Sequence, residues 1–297
     1  MRLHVLAASV LAAALSLTAC QHVQTSTPAA QADVASTAAA GADDNLNAVL
    51  WVQASAESRA LGEQAFRADA AQLDRALAEK DWDALVPEER ANPGTGLPPA
   101  VVMDIDETVL DNSPYQARLV RNGTQYDEVT WSDWVNERSA AAVPGVVDFA
   151  RAATARGITI VYISNRAQHL DVATIANLRS VGMPVKDAGA FLGLGTHVDG
   201  CEQHGSEKNC RREQVGRDYR VLMQFGDQLG DFVQVLSNTA DGRAALLDAH
   251  GQWFGERWWM LPNPTYGSWE PAAFNNDWSQ PREVRRAAKR AALDVAP

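Results

Sequence analysis

Ala100-Val-Val-Met-Asp-Ile-Asp-Glu-Thr108 decides how this chain folds. Its apolar residues are consecutive, where a half-buried strand would alternate them with polar ones. A run like that, ending in acids and preceded by the turn-rich Pro87, Pro93, Gly94, Gly96, Pro98 and Pro99, reads as a strand buried on both faces of a parallel sheet. Working outward, short apolar runs recur at 158–163, 221–225 and 258–261. Helical stretches separate them. Pro144-Gly145 starts one that runs through Ala155, and 171–180 reads as another. Upstream, Leu46, Val49, Leu50 and Val52, then Ala65, Phe66, Leu73 and Leu77, recur at intervals of three, four and seven, which is helical periodicity over 46–80. Strand, crossover helix and strand in alternation predicts an α/β fold, a parallel sheet with helices on both faces.

In such sheets ligands bind at the carboxyl ends of the strands. The first run ends in Asp104-Ile-Asp106, the second in Ser164-Asn165-Arg166, and the third in Gly226-Asp227-Gln228-Leu229-Gly230-Asp231, so these groups are expected to converge. Two carboxylates one residue apart suit phosphoryl transfer. One attacks phosphorus and becomes an aspartyl-phosphate; the other protonates the leaving alkoxide and then deprotonates water. A divalent cation offsets the repulsion between carboxylate and phosphate, and hard oxygen ligands suit Mg²⁺. Asp227 is the best further ligand. Ser164 offers a hydroxyl to a phosphate oxygen, or caps a helix. Lys208 is the candidate cation, or an ordinary solvated side chain. Asp231 shares the strand end of Asp227, or caps or braces a helix.

Composition narrows the function classes. The 297 residues carry a formal net charge of −11, which argues against nucleic acid as a partner. The same charge disfavours anionic substrates unless metal, Lys, Arg or backbone N–H groups supply positive potential locally. At the N-terminus one basic residue, Arg2, precedes an apolar segment over 5–17, too short to span a bilayer and of the length of a secretory signal. Leu17-Thr-Ala-Cys20 resembles the lipobox of bacterial lipoproteins, which implies a signal peptide over 1–19, lipid on Cys20 and, with Gln21 following, an outer-membrane destination. Residues 21–44 are Ala-, Thr-, Ser- and Gln-rich, as in a tether. Of the remaining cysteines, Cys201 and Cys210 are close enough to pair as a loop disulfide; a zinc site with His197 and His204 is the rival.

Several motifs in order carry a family resemblance. Asp104-Ile-Asp-Glu-Thr-Val-Leu-Asp-Asn-Ser-Pro-Tyr115, Tyr162-Ile-Ser-Asn-Arg166, Ser206-Glu-Lys-Asn-Cys-Arg-Arg212, Phe225-Gly-Asp-Gln-Leu-Gly-Asp-Phe232 and Met260-Leu-Pro-Asn-Pro-Thr-Tyr-Gly-Ser-Trp-Glu270 resemble the signatures of class C bacterial acid phosphatases, the lipoprotein e family of the haloacid dehalogenase superfamily. The resemblance implies a haloacid-dehalogenase-like Rossmannoid sheet with a smaller, mostly helical cap. The domain would span 45–297, with cap elements near 45–90, 111–150 and in the C-terminal tail. It implies Asp104 as nucleophile and metal ligand, Asp106 as general acid and base with its carbonyl on the metal, and Asp227 and Asp231 completing the Mg²⁺ site. Ser164, Asn165 and Lys208 would hold the phosphoryl group. The substrates would be small phosphomonoesters, nucleoside 5′-monophosphates and nicotinamide mononucleotide among them, with the base between the rings of Trp131 and Tyr266. A phosphotransferase, or a non-catalytic envelope lipoprotein that binds a ligand, remains an alternative. The oligomeric state stays open, a homodimer included.

Overall fold

The computed structural model describes residues 44–296. The expected signal peptide (1–19), the lipidation site Cys20 and all but the last residue of the tether lie outside the described residues. The helical pattern of 46–80 resolves into Leu46–Ala54 (α1), Ala56–Ala70 (α2) and Leu73–Ala78 (α3). Ser55 makes the first break: its backbone is extended, and its hydroxyl accepts from the Ser58 N–H, capping α2.

Pro99–Met103 is β1, and a two-residue strand, Leu110–Asp111 (β2), follows it closely. Ser113–Asn122 (α4) starts with Pro114 in its first turn and stops at Gly123, whose φ of +64° closes the helix end. Glu128–Glu137 (α5) begins where Asp127 accepts from the N–H groups of Val129 and Thr130. Ala141–Ala142 (β3) pairs antiparallel with β2. Then come Val146–Ala155 (α6), Thr159–Ala167 (β4), Asp171–Ser180 (α7), Phe191–Leu194 (β5), Asn209–Asp218 (α8), Arg220–Gly226 (β6), Ala240–His250 (α9), Trp258–Met260 (β7) and Arg282–Ala291 (α10). No helix among the described residues is long and apolar enough to cross a membrane.

The main sheet has the order β5-β4-β1-β6-β7, and every pairing in it is parallel. Side chains of β1 alternate between two cores. Val101 and Met103 pack with Phe66, Phe149 and Phe225, while Ala100 and Val102 pack with Val161, Val221, Phe232 and Trp258. Burial on both faces is why the strand reads as a continuous apolar run. Helices expected as cap elements share the first core: Phe66 and Leu73 from the N-terminal helices, and Tyr115, Trp131 and Trp134 from α4 and α5.

Two features differ from the expectation. The strand β5 pairs with the edge of β4, although its sequence, Phe-Leu-Gly-Leu, is short and lacks β-branched residues; its register against Tyr162 and Ile163 makes it a strand. The segment before β1 is also more than a loop. Ala84 N–H donates to the Val221 carbonyl, and its own carbonyl accepts from Trp258 Nε1 and Gln224 Nε2, so it straps the sheet.

β1 lies between β4 and β6. The chain leaves β1 toward β4 and β5 on one side, then returns to β6 and β7 on the other. The connections diverge at the carboxyl end of β1 and leave a crevice there, which is where Asp104 and Asp106 sit.

Candidate active site

The backbone of Asp104 extends the sheet, with its N–H donating to the Phe225 carbonyl at 2.9 Å. The chain then turns sharply. Glu107 takes a left-handed conformation (φ +60°), uncommon for a residue with a side chain, and its N–H donates to the Leu110 carbonyl. This turn puts the two acids in different surroundings.

Asp104 joins Asp227 and Asp231, and one carboxylate oxygen from each of the three lies within 4.8 Å of the others. The last two come from the turn after β6. Gly226 permits their approach, because a Cβ there would stand 2.3 Å from the Asp231 side chain. Asp227 accepts from Asn263 Nδ2 at 2.7 Å and Gln228 Nε2 at 2.8 Å. Asn263 is oriented by the Thr265 N–H and hydroxyl, which donate to its Oδ1. Asp231 accepts from the Gln228 N–H at 2.8 Å.

The Lys208 ammonium contacts both Asp104 Oδ1 and, at 2.6 Å, Asp231 Oδ1. Lys208 is 5% exposed, so it is a buried cation and not a solvated one. Burial works against its charge, but Asp104 and Asp231 outweigh that and raise its pKa. Burial pushes the Asp104 carboxyl up to about 7, with Lys208 opposing and the charges of Asp231 and Asp106 adding to the rise. Burial, then Asp231 and Asp104, hold Asp227 well above the usual carboxylate range. Carboxylates that raise one another's pKa form a centre that a cation would stabilise. The donor set fits a hard divalent ion: oxygen ligands only, converging from two loops.

Asp106 stands apart from that cluster. Its Oδ1 accepts from Arg166 Nε at 2.9 Å and from Asn112 Nδ2 at 2.9 Å, and its Oδ2 accepts from the Ser164 hydroxyl at 3.2 Å. Ser164 is fully buried and also accepts from the Arg166 N–H, within β4, so it caps no helix. Asn165 is exposed, and its Oδ1 accepts from Arg211 at 2.8 Å.

The helix α8 ties the loops together. Lys208 begins it. Arg211 donates to the Ser164 carbonyl at 2.6 Å and to Asn165, and Arg212 donates to the Gly230 carbonyl at 2.6 Å while pairing with Glu89. Both arginines are fully buried. Cys201 and Cys210 are joined by a disulfide that spans the segment leading into this helix.

The two aromatic candidates lie on different supports. Trp131, on α5, is 8% exposed, edge-on to Tyr115 at 5.2 Å, with the Arg166 guanidinium 5.6 Å from its ring centre. The Tyr266 hydroxyl donates to the Glu107 carboxylate, which burial and then Asp106 and Asp227 hold well above the usual range.

Sequence reading placed Arg166 at a converging strand end without giving it a role, and passed over Arg211, Arg212, Asn112, Glu107 and Asn263 as structural members of the site. All lie inside the quoted motifs. Position alone marked them, because a charged or amide side chain in a polar stretch gives no sign of burial.

The model of the acid phosphatases of HAD superfamily subfamily IIIB matches residues 7–269. The crystal structure of the class C acid phosphatase from Bacillus anthracis with tungstate bound is similar at a TM-score of 0.74 and 34% identity, covering 85% of this chain and 98% of that one. Curated plant relatives are more distant. A stem 31 kDa glycoprotein of Glycine max is 26% identical over 56% of this chain and 58% of its own length. Acid phosphatase 1 of Solanum lycopersicum is 23% identical over 56% of this chain and 57% of its own length. The chain thus spans little more than half the length of the curated relatives it matches.

Proposed function

The chain belongs to the acid phosphatases of HAD subfamily IIIB, and from that premise we propose that it hydrolyses small phosphomonoesters, nucleoside 5′-monophosphates among them, through an aspartyl-phosphate on Asp104. The observation that carries this reading is the division of labour between two acids one residue apart. Asp104 lies among carboxylates and the Lys208 ammonium, while Asp106 is held by neutral donors and Arg166. Paired carboxylates in contrasting environments are how one site supplies both a nucleophile and an acid.

In the first half-reaction an Asp104 oxygen attacks phosphorus, the ester P–O bond breaks, and Asp106 gives its proton to the departing alkoxide oxygen. In the second, Asp106 takes a proton from water, the hydroxide oxygen attacks phosphorus, and the bond to Asp104 breaks, releasing phosphate. Ser164, Asn165 and Lys208 would hold the phosphoryl oxygens. Asp104, Asp227 and Asp231, with the Asp106 carbonyl, would hold Mg²⁺, whose charge lowers the repulsion between carboxylate and phosphate. The Bacillus relative carries bound tungstate, an oxyanion of phosphate-like shape, and that supports an oxyanion ligand for a chain of this family. Trp131 and Tyr266 are the proposed walls for the base of a nucleotide. The same reading places the mature chain in the bacterial envelope, attached to the outer membrane through lipid on Cys20, with 1–19 removed and 20–44 as tether.

A phosphate-release assay over nucleotides and simple esters tests the reaction. Activity is expected to vanish with a chelator and return with Mg²⁺, and Asp104→Asn is expected to lose on the order of 10⁴-fold or more in kcat/KM with its circular dichroism unchanged. Substantial turnover by Asp104→Asn would overturn the mechanism.

A further inference from the structure

Arg166 lies in the second motif, and neither the phosphoryl site nor the acid cluster uses it. It is 1% exposed, on a strand whose neighbours are apolar. Burying an Arg this deeply is costly unless its charge is paired and its N–H groups find acceptors. Its Nε and one terminal nitrogen both reach Asp106 Oδ1, at 2.9 and 2.8 Å. That same terminal nitrogen donates to Asn112 Oδ1 at 3.2 Å, and the guanidinium stands over the Trp131 ring.

Asn112 completes the arrangement. Trp134 Nε1 donates to Asn112 Oδ1 at 2.8 Å, and because an indole N–H can only donate, the atom it meets must be the amide oxygen. The amide nitrogen is thereby turned to Asp106 Oδ1. Two N–H donors, Arg166 Nε and Asn112 Nδ2, therefore converge on one carboxylate oxygen, with a second guanidinium nitrogen 2.8 Å from it, while the other oxygen accepts from the Ser164 hydroxyl.

We infer that Arg166 is a positioning residue for leaving-group protonation: with Asn112 it occupies Asp106 Oδ1 and leaves Oδ2 as the oxygen that carries the proton to the departing alkoxide. A proton on Oδ1 would collide with the donor hydrogens already pointing there. The Asp106 side chain keeps 16% of its exposure, whereas that of Arg166 keeps 1%, so the arginine acts through the acid and not on the substrate. The inference rests on Asp106 being the proton donor, as proposed above.

The dependence on leaving group separates positioning from mere stability. An alkyl phosphate such as a nucleoside 5′-monophosphate needs its leaving oxygen protonated; 2,4-dinitrophenyl phosphate does not. The quantity to compare is kcat/KM, because it reports the steps up to phosphoenzyme formation and excludes the later hydrolysis. Arg166→Met is expected to lose about 10²-fold or more on the alkyl ester and under about fivefold on the activated one, in line with the size of general-acid contributions. Arg166→Lys keeps the charge but not the planar fork, so it is expected to show the same selectivity to a smaller extent. Retained turnover of the activated ester also shows that a variant is folded, and if Arg166→Met does not fold, the ratio is read from Arg166→Lys.

Asp106→Asn serves as the reference. If it shows the selective loss and the Arg166 variants lose equally on both esters, or lose nothing, the inference about Arg166 is overturned alone. If Asp106→Asn itself loses equally on both esters, Asp106 is not the leaving-group acid, and both readings fall.

Discussion

At the scale of single residues, this protein buries more charge than its sequence suggests, and each case has its own account. Lys208, Arg166 and Arg212 are satisfied by carboxylates, carbonyls or amides, and the terminal nitrogens of Arg211 are too, although its Nε has no hydrogen-bond partner. Asp69 is not: it is fully buried on α2, and neither carboxylate oxygen has a hydrogen-bond partner. Burial alone raises its pKa to about 9. A carboxyl whose pKa is raised on folding favours the native state fully below its unfolded pKa, and that contribution is lost as pH rises toward the folded value. The native chain thus holds a proton on Asp69 that the unfolded chain gives up, between the ordinary Asp range and about 9. Asp69→Asn is expected to remove this penalty, gaining on the wild type by on the order of 1 kcal/mol per pH unit across that window. Denaturant unfolding of both proteins at several pH values measures it; a difference that does not change with pH would discard the assignment.

At the scale of elements, α8 is the part on which the site depends most. Three successive cationic contacts from its first turns reach three loops, so the helix acts as a clasp across the carboxyl end of the sheet. The Cys201–Cys210 bridge closes a short loop, with a sequence separation of 9, in front of the helix. Closing a loop of that size is worth about 2–3 kcal/mol. Cys201→Ser/Cys210→Ser is therefore expected to lower Tm by roughly 5–10 °C in scanning calorimetry. Arg211 and Arg212 anchor α8 independently, so kcat/KM is expected to fall by less than about tenfold, or 1.4 kcal/mol. A much larger loss would mean that the bridge, and not the arginines, places Lys208.

Elements also show what a sequence displays. The strand β1 and the helix α7 are read closely from pattern, because an unbroken apolar run and a helical window are local signals. The strand β5 is not, since four residues with a central Gly193 become a strand only by pairing with β4. The same division holds in the candidate site. Asp104, Asp106, Ser164, Lys208, Asp227 and Asp231 stand out because acids, hydroxyls and amines at strand and helix ends are chemically conspicuous. Arg166 and Asn112 do not, because their significance lies in which oxygen of Asp106 they touch.

At the scale of the whole molecule, a chain of net charge −11 gathers buried cations where the proposed reaction would bring an anion. An acidic exterior disfavours capture of an anion, so in the proposed reaction recognition would be local, from Lys208, Ser164 and a bound metal. The proposed attachment to the envelope belongs to this scale too. Labelled palmitate is expected to enter the protein in cells and to be absent from Cys20→Ala; equal incorporation by the variant would remove Cys20 as the lipid site.

What the sequence by itself determined was the alternation of buried strands and helices, the family, and which acids, hydroxyl and amine stand as candidates at the strand ends, because periodicity and residue chemistry are written along the chain. Only the tertiary structure decided that the two acids face different partners, that Lys208 and three arginines are buried, and that β5 closes one edge of the sheet. Those outcomes rest on contacts between residues tens to more than a hundred positions apart. Burial and pairing of this kind arise from packing in three dimensions and leave no periodic trace in one.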